Sequence, residues 1–325
     1  MSNIQSPLFS FGVIADIQYA DIEDAMNFSK TEHRGYRNAL QEAKRAVEYW
    51  KQLSPAPLFV AQLGDLIDGQ NSGTYGQGVS MERPQSREAF DLVMNELRKS
   101  RLRMVHAVGN HELYNFSWKE MRALYNDDLN TIAQEHFYFS FRPIQGWTCI
   151  MLNPYEISIM QEEDSWGYKE AYRILKDRNK NFLTQGSVNF FEGLEGLERR
   201  FVPFNGGFGH VQRTWLEQTL TDAKHRKDRV IMFTHTPIFG DSASARNLAF
   251  DYDQVLEIIH GAGNVTLVMA GHYHRGGYAQ DEQGVHHITV QSPLTHGHCF
   301  GVVDVCSSKI ECKGIGEQRS YTCPI

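Results

Sequence analysis

Five short polar clusters hold the side chains of this sequence that can do chemistry: Asp16-Ile17-Gln18, Gly64-Asp65-Leu66-Ile67-Asp68, Gly109-Asn110-His111-Glu112, His235-Thr236-Pro237 and Gly271-His272-Tyr273-His274. Taken singly each is weak, because Asp16 can cap a turn, Asn110 can sit in a left-handed conformation and a lone histidine is usually a hydrogen-bonder. Taken together, two carboxylates, two amide oxygens and three imidazoles form a ligand set for two divalent cations, provided one carboxylate bridges them. Two such cations suit the hydrolysis of phosphoesters.

Residues this far apart meet only if the fold brings them to one edge. Each cluster follows an apolar run of strand length: Leu8 to Ala15, Leu58 to Leu63, Met104 to Val108, Val230 to Thr234 and Val265 to Ala270. Helical patterns lie between them, at Gly35 to Leu53, Ser86 to Arg101, His210 to Lys224 and Gln254 to His260. Alternating strands and helices predict a layered α/β domain, in which the C-terminal strand ends line a common edge. Three further runs, Val285 to Gln291, Cys299 to Val305 and Lys309 to Ile315, read as successive antiparallel additions, so the sheets are expected to be mixed. The region of about 153–208 loses this alternation and reads as an insertion, a lid or specificity wall, within a single domain of residues 1–325.

The bulk numbers narrow the function. A chain of 325 residues, 41% hydrophobic, can bury a large core. With 39 acidic residues against 32 Lys and Arg, its charge of −7 argues against general affinity for nucleic acid or anionic membrane. No window approaches the ~18 apolar residues of a membrane span, and the N-terminus lacks a basic signal region. The five cysteines are odd in number and irregularly spaced, which predicts reduced thiols and a cytoplasmic protein.

The ordered clusters resemble the calcineurin-like metallophosphoesterase superfamily, whose pattern runs D-x-H, G-D-x-x-D, G-N-H-D/E, H, G-H-x-H. The match spans Asp16 to His274. The resemblance implies a four-layer αββα sandwich with two mixed sheets. It also implies that Asp16, Gln18, Asp65 and His274 surround one cation and Asp65, Asn110, His235 and His272 the other, with Asp65 as the bridge. His111 would donate to the substrate phosphate or leaving oxygen, oriented by Asp68 or Glu112. Where the family carries a histidine in its first motif, this chain has Gln18. That gives one site three oxygens and one nitrogen, favouring Mn²⁺ or Mg²⁺, with Zn²⁺ or Fe as alternative occupants.

This change, the stretch Gly206-Gly207-Phe208 and the motif spacing resemble a narrower group, the manganese-dependent ADP-ribose/CDP-alcohol diphosphatases. The group implies cleavage of the pyrophosphate of ADP-ribose, or of CDP-choline, CDP-ethanolamine or CDP-glycerol, through attack of a metal-bridging hydroxide. The expected partner is a nucleotide-type small molecule and the expected state a monomer. Specificity must come from outside the metals, which see only phosphate. Phe28, Phe204, Asn205 and Asn247 are the candidates, as aromatic or polar positions near the motifs. A protein phosphatase, a cyclic-nucleotide phosphodiesterase and a catalytically silent scaffold of the same fold are the alternatives.

Overall fold

The computed structural model describes residues 6–27, 30–73, 84–126, 131–132, 136–184 and 189–325. Two mixed sheets form its centre. In the first, Phe9–Ile14 pairs in parallel with Phe59–Gln62, followed by Arg103–His106 and Thr131–Ile132, also parallel. On its other side Phe9–Ile14 meets Cys299–Val305, then Lys309–Gly316 and Tyr321–Pro324, all antiparallel. In the second sheet Val265–Ala270 lies parallel to Arg229–Phe233 and to His286–Thr289, and Trp147–Met151 extends the parallel run. Phe139–Phe141 and Gly277–Gln280 close its two edges in antiparallel fashion.

The alternation of side chains along the central strands dictates the layering. Phe9, Phe11, Val13, Phe59, Ala61 and Val105 from one sheet, with Trp147, Cys149, Met151, Ile231, Phe233 and Met269 from the other, bury into one core between the sheets. The opposite face of the first sheet packs on the helices Tyr36–Gln52, Ser86–Arg98 and Trp118–Asn126. The opposite face of the second packs on Gly209–His225 and Tyr252–Ala262. Helix, sheet, sheet, helix is the four-layer sandwich that the family resemblance implies.

The strand Val285 to Gln291 is the exception. Its observed core, His286–Thr289, joins the second sheet in parallel with Val265–Ala270, whereas Cys299–Val305 joins the first. The run of successive antiparallel additions therefore begins only at Cys299, because Pro293–His296 forms a short helix that carries the chain from one sheet to the other. Residues 153–208 contain the helix Trp166–Arg178 and the turn Gly196–Arg200, and they form a small core of their own from Ile157, Ala171, Leu175 and Phe201 together with Phe250. All five cysteines are buried thiols. Among the described residues no helix is long and apolar enough to cross a membrane.

Candidate metal centre

All five polar clusters emerge at the C-terminal ends of parallel strands, and the two sheets bring those ends together. Short backbone bonds fix the junction: Asp16 N–H donates to Gly64 O (3.0 Å), Gln18 N–H to Asp65 O (2.9 Å) and Gly271 N–H to His235 O (2.9 Å). Asp16, Gln18, Asp65 and His272 all have positive φ, between 46° and 67°. Non-glycine residues adopt that conformation at a cost, and it persists where the surroundings over-determine it. Gly109 is required for closeness: a Cβ there would stand 2.0 Å from Asp65 Oδ1.

Asp65 lies at the middle. Its Oδ1 accepts from His111 N–H (2.8 Å), and its Oδ2 accepts from Gln18 Nε2 (2.9 Å) and faces His235 Nε2 at 3.4 Å. Asp65, His235 and His272 bring ligand atoms within 4.8 Å of one another, all buried. Asp16 accepts from the His272 backbone N–H with both oxygens (3.0 and 2.9 Å), and its Oδ1 stands 3.6 Å from His274 Nε2.

Two of the histidines have their tautomer set by a neighbour. His235 Nδ1 meets Leu63 O at 2.7 Å, so the proton of the neutral ring sits there and the lone pair falls on Nε2, which is turned toward Asn110 Oδ1 (3.2 Å). His272 Nε2 meets Asn205 Oδ1 at 2.8 Å. The Asn205 amide cannot turn over, because its Nδ2 already donates to Arg200 O (2.8 Å) and Arg246 O (2.9 Å). His272 is thus protonated at Nε2 and keeps Nδ1 free.

The carboxyls and imidazoles of the centre set one another's charge. Burial pushes the Asp16 carboxyl up to about 8, against the pull of His235. Asp65 is buried as deeply, yet His235 and His111 hold it well below the usual carboxylate range. Burial also disfavours a charged His235, but Asp65 and Asp16 raise it to about 9, whereas burial and the neighbouring His235 push His272 far down. Gln18 turns its amide nitrogen to Asp65 Oδ2 and His274 Nε2 (3.0 Å) and leaves Oε1 buried without a partner. Converging oxygens and imidazole lone pairs, an orphaned carbonyl and two buried carboxylates fit divalent cations.

His111 stands beside this set. Gly69 N–H donates to its Nδ1 (2.9 Å), which assigns the proton of the neutral ring to Nε2, and Asp68 Oδ2 lies 3.3 Å from the same Nδ1. Burial lowers its basicity, but Asp65 and Asp68 outweigh that and raise it. Of the two carboxylates expected to orient this ring, only Asp68 meets it. Glu112 instead accepts from the backbone N–H of Asp65 (2.8 Å), Leu66 and Gly109 (2.7 Å), tying together the loops of Asp65 and Asn110. Burial, with Asp65 nearby, raises Glu112 to about 7.

The specificity candidates fare unevenly. Asn205 is fully buried and occupied by His272, so it is no base contact. Phe204 is half-buried with its ring 6.0 Å from that of His272, and Asn247 Nδ2 donates to His272 O (3.3 Å), so both border the centre. Phe28 lies outside the described residues. Arg34, unremarked in the sequence, stands with Nη1 4.0 Å from Asp68 Oδ2. Only its place in the short hairpin Ala25–Met26/His33–Arg34, after the first motif, could have drawn attention to it.

The model of the calcineurin-like phosphoesterase family matches residues 9–276. The chain belongs to this family. Relatives similar along nearly the whole chain include manganese-dependent ADP-ribose/CDP-alcohol diphosphatases of Bos taurus (36% identical, 95% of this chain and 92% of that one) and of Arabidopsis thaliana (34% identical, 98% of each). The crystal structure of a dimetal phosphatase from Danio rerio superposes with a TM-score of 0.88 at 33% identity, covering 98% of this chain and 99% of that one.

Proposed function

We propose that this calcineurin-like phosphoesterase hydrolyses the pyrophosphate of ADP-ribose and of CDP-alcohols, using two divalent cations, Mn²⁺ foremost. The carrying observation is the convergence of Asp65, His235 and His272 beside Asp16 and Asn110, in a chain 33–36% identical over nearly its full length to diphosphatases named for that activity. Asp16, Gln18, Asp65 and His274 would hold one cation and Asp65, Asn110, His235 and His272 the other. Exchanging the two ends of the Gln18 amide gives its orphaned oxygen a role. When bound, such cations supply a nucleophilic water at neutral pH and neutralise charge on the phosphoryl oxygens.

The rest of the reaction falls to the chain. His111, protonated at Nε2, donates to a phosphoryl or leaving oxygen, and Asp68 accepts from its Nδ1 whenever the ring is fully charged. A phosphate leaving group needs little protonation, so His111 acts mainly by positioning and charge. Arg34 adds a guanidinium on the side of Asp68. Phe204 and Asn247 border the base-binding wall, supplied in part by an insertion at about 153–208 in what we read as one domain. We place the protein in the cytoplasm as a monomer, in keeping with its reduced, buried thiols.

The test strips the protein of metal, restores Mn²⁺ or Mg²⁺ and follows ADP-ribose, CDP-choline, cyclic AMP and a phosphopeptide in parallel, with His111→Ala as control. AMP and CMP released only with metal, and about 10²-fold or more slowly by the variant, are expected. Turnover confined to the phosphopeptide or cyclic AMP would overturn the substrate assignment.

A further inference from the structure

We propose that Arg199 and Arg246 form a second anion site beside the metal centre, one that takes a phosphomonoester on the ribose of the substrate's nucleoside. The proposal rests on the reading above that a nucleotide pyrophosphate occupies the centre. Both guanidiniums lie over one ring, that of Phe191, at 4.6 Å for Arg246 and 5.3 Å for Arg199. That ring sits 5.9 Å from Phe204, whose ring is 6.0 Å from the His272 imidazole. Two aromatic contacts therefore separate the metal centre from the paired cations, a separation suited to a nucleoside lying along Phe204.

Among the described residues the pair is uncompensated. Among the described residues neither guanidinium has a carboxylate within 4.0 Å or a hydrogen-bond partner, and Arg199 Nε is buried without one. The acidic side chain nearest in effect, Glu32, is already engaged by Arg275 (2.5 Å). Like charges on a half-buried ring repel, and stacking on Phe191 offsets this only in part. Arg246 records the strain, its basicity lowered by burial, by Arg199 and by Arg275. A chain with charge −7 has carboxylates to spare for pairing, so leaving this pair open is a departure from its own surface.

The arrangement is held in place by the centre itself. Asn205 Nδ2 bridges Arg200 O and Arg246 O while its oxygen holds His272, so the turns Gly196–Arg200 and Ala245–Asn247 are fixed relative to a proposed ligand. A planar guanidinium offers paired N–H donors to a phosphate, which is the geometry a ribose phosphomonoester would use. The inferred preference is for nucleotides phosphorylated on the 2′ or 3′ hydroxyl over those with a free ribose.

Two arms test this. Calorimetry on the metal-loaded protein compares 5′-AMP with adenosine 2′,5′-bisphosphate and adenosine 3′,5′-bisphosphate; one bisphosphate should bind about tenfold tighter, and less so in high salt. Initial rates then compare ADP-ribose with its 2′-phosphate in the wild type, Arg199→Gln and Arg246→Gln. A kcat/KM ratio favouring the phosphorylated substrate, or binding favouring the 3′ form, that collapses toward unity in both variants supports the site. Equal wild-type binding of all three nucleotides overturns it without any variant, as does a preference that survives both substitutions. If ADP-ribose and its phosphate both resist hydrolysis, the proposed function fails and the binding arm still decides the anion site.

Discussion

Replacing Asn205 with alanine tests whether a buried amide outside the ligand set governs the metal centre. The substitution removes three hydrogen bonds, to His272 Nε2, Arg200 O and Arg246 O, all between 2.8 and 2.9 Å. An unmet buried group costs about 1–3 kcal/mol, and a water entering the space recovers part, so a loss on the order of 2–4 kcal/mol of stability is expected. The more telling effect is on metal. With no acceptor at Nε2, His272 can carry its proton on Nδ1, the wrong tautomer for a ligand, and its ring loses a fixed orientation. Removing such a partner weakens metal binding by about 10–100-fold. Urea unfolding of the metal-free protein gives the first number, and titration with Mn²⁺ followed by electron paramagnetic resonance gives the second. Asn205→Asp separates the two, since a carboxylate still accepts from His272 while presenting oxygen to two carbonyls: stability should fall, but Mn²⁺ affinity should stay above that of the alanine variant. An alanine variant that is destabilised yet binds Mn²⁺ as the wild type does would refute the tautomer argument.

Glu112→Gln should lower stability by about 2–4 kcal/mol in urea unfolding, since a neutral amide cannot accept as strongly from the three backbone N–H groups of Asp65, Leu66 and Gly109. Gly109→Ala must displace Asp65, whose Oδ1 would be 2.0 Å from the new Cβ; a cost of about 1–3 kcal/mol and a loss of Mn²⁺ affinity are expected by the same titration. Asp228 is desolvated, which raises its pKa, but hydrogen bonds from Arg226, Thr148 and Arg142 outweigh that and lower it. Its contribution is therefore full above the unfolded value of about 3.9 and fades as pH falls through the folded one. Asp228→Asn should cost about 1–2 kcal/mol at pH 7, discounted because both arginines reach solvent, and the deficit should shrink as denaturation is repeated below about pH 4.

The metal centre was legible because its chemistry is concentrated at strand ends. Apolar runs announce the central strands, and a ligand-type residue follows each run within two positions, so order along the chain translates into position on an edge. What the sequence conceals is direction. The family resemblance offered Glu112 beside Asp68 as the group that orients His111, yet neighbours on the helix Asn110–Asn115 point roughly 100° apart and Glu112 turns back into the loops. Asn205 entered as a base-contact candidate with the stretch from Phe204 to Phe208 inside the insertion; its partner is 67 positions away, a pairing that only the folded chain supplies. Three other strands were hidden for different reasons. Gly277–Gln280 and Tyr321–Pro324 bury one face or less and so lack a strong apolar signature, and Trp147–Met151, buried throughout, merged with the irregular stretch that follows.

The supports of the proposed ligands are also links between ligand loops, and that makes the centre one unit. Asp16 is held by the backbone of His272, Asp65 by that of His111, and His235 by the carbonyl of Leu63, two residues before Asp65. Glu112 joins the loops of Asp65 and Gly109, and Asn205 joins His272 to the segment of 153–208. Four positive-φ residues lie within this web, each held where its own backbone preference would not put it. Local strain is offset only when every loop is in place, and the two buried carboxylates beside imidazole nitrogens suit a divalent cation in the middle. Double substitutions across the web should therefore cost less than the sum of the singles, because the first already releases what the second would remove. The same reasoning explains why the motifs are informative as a set in this chain: each supplies both a proposed ligand and a strut for another motif's proposed ligand.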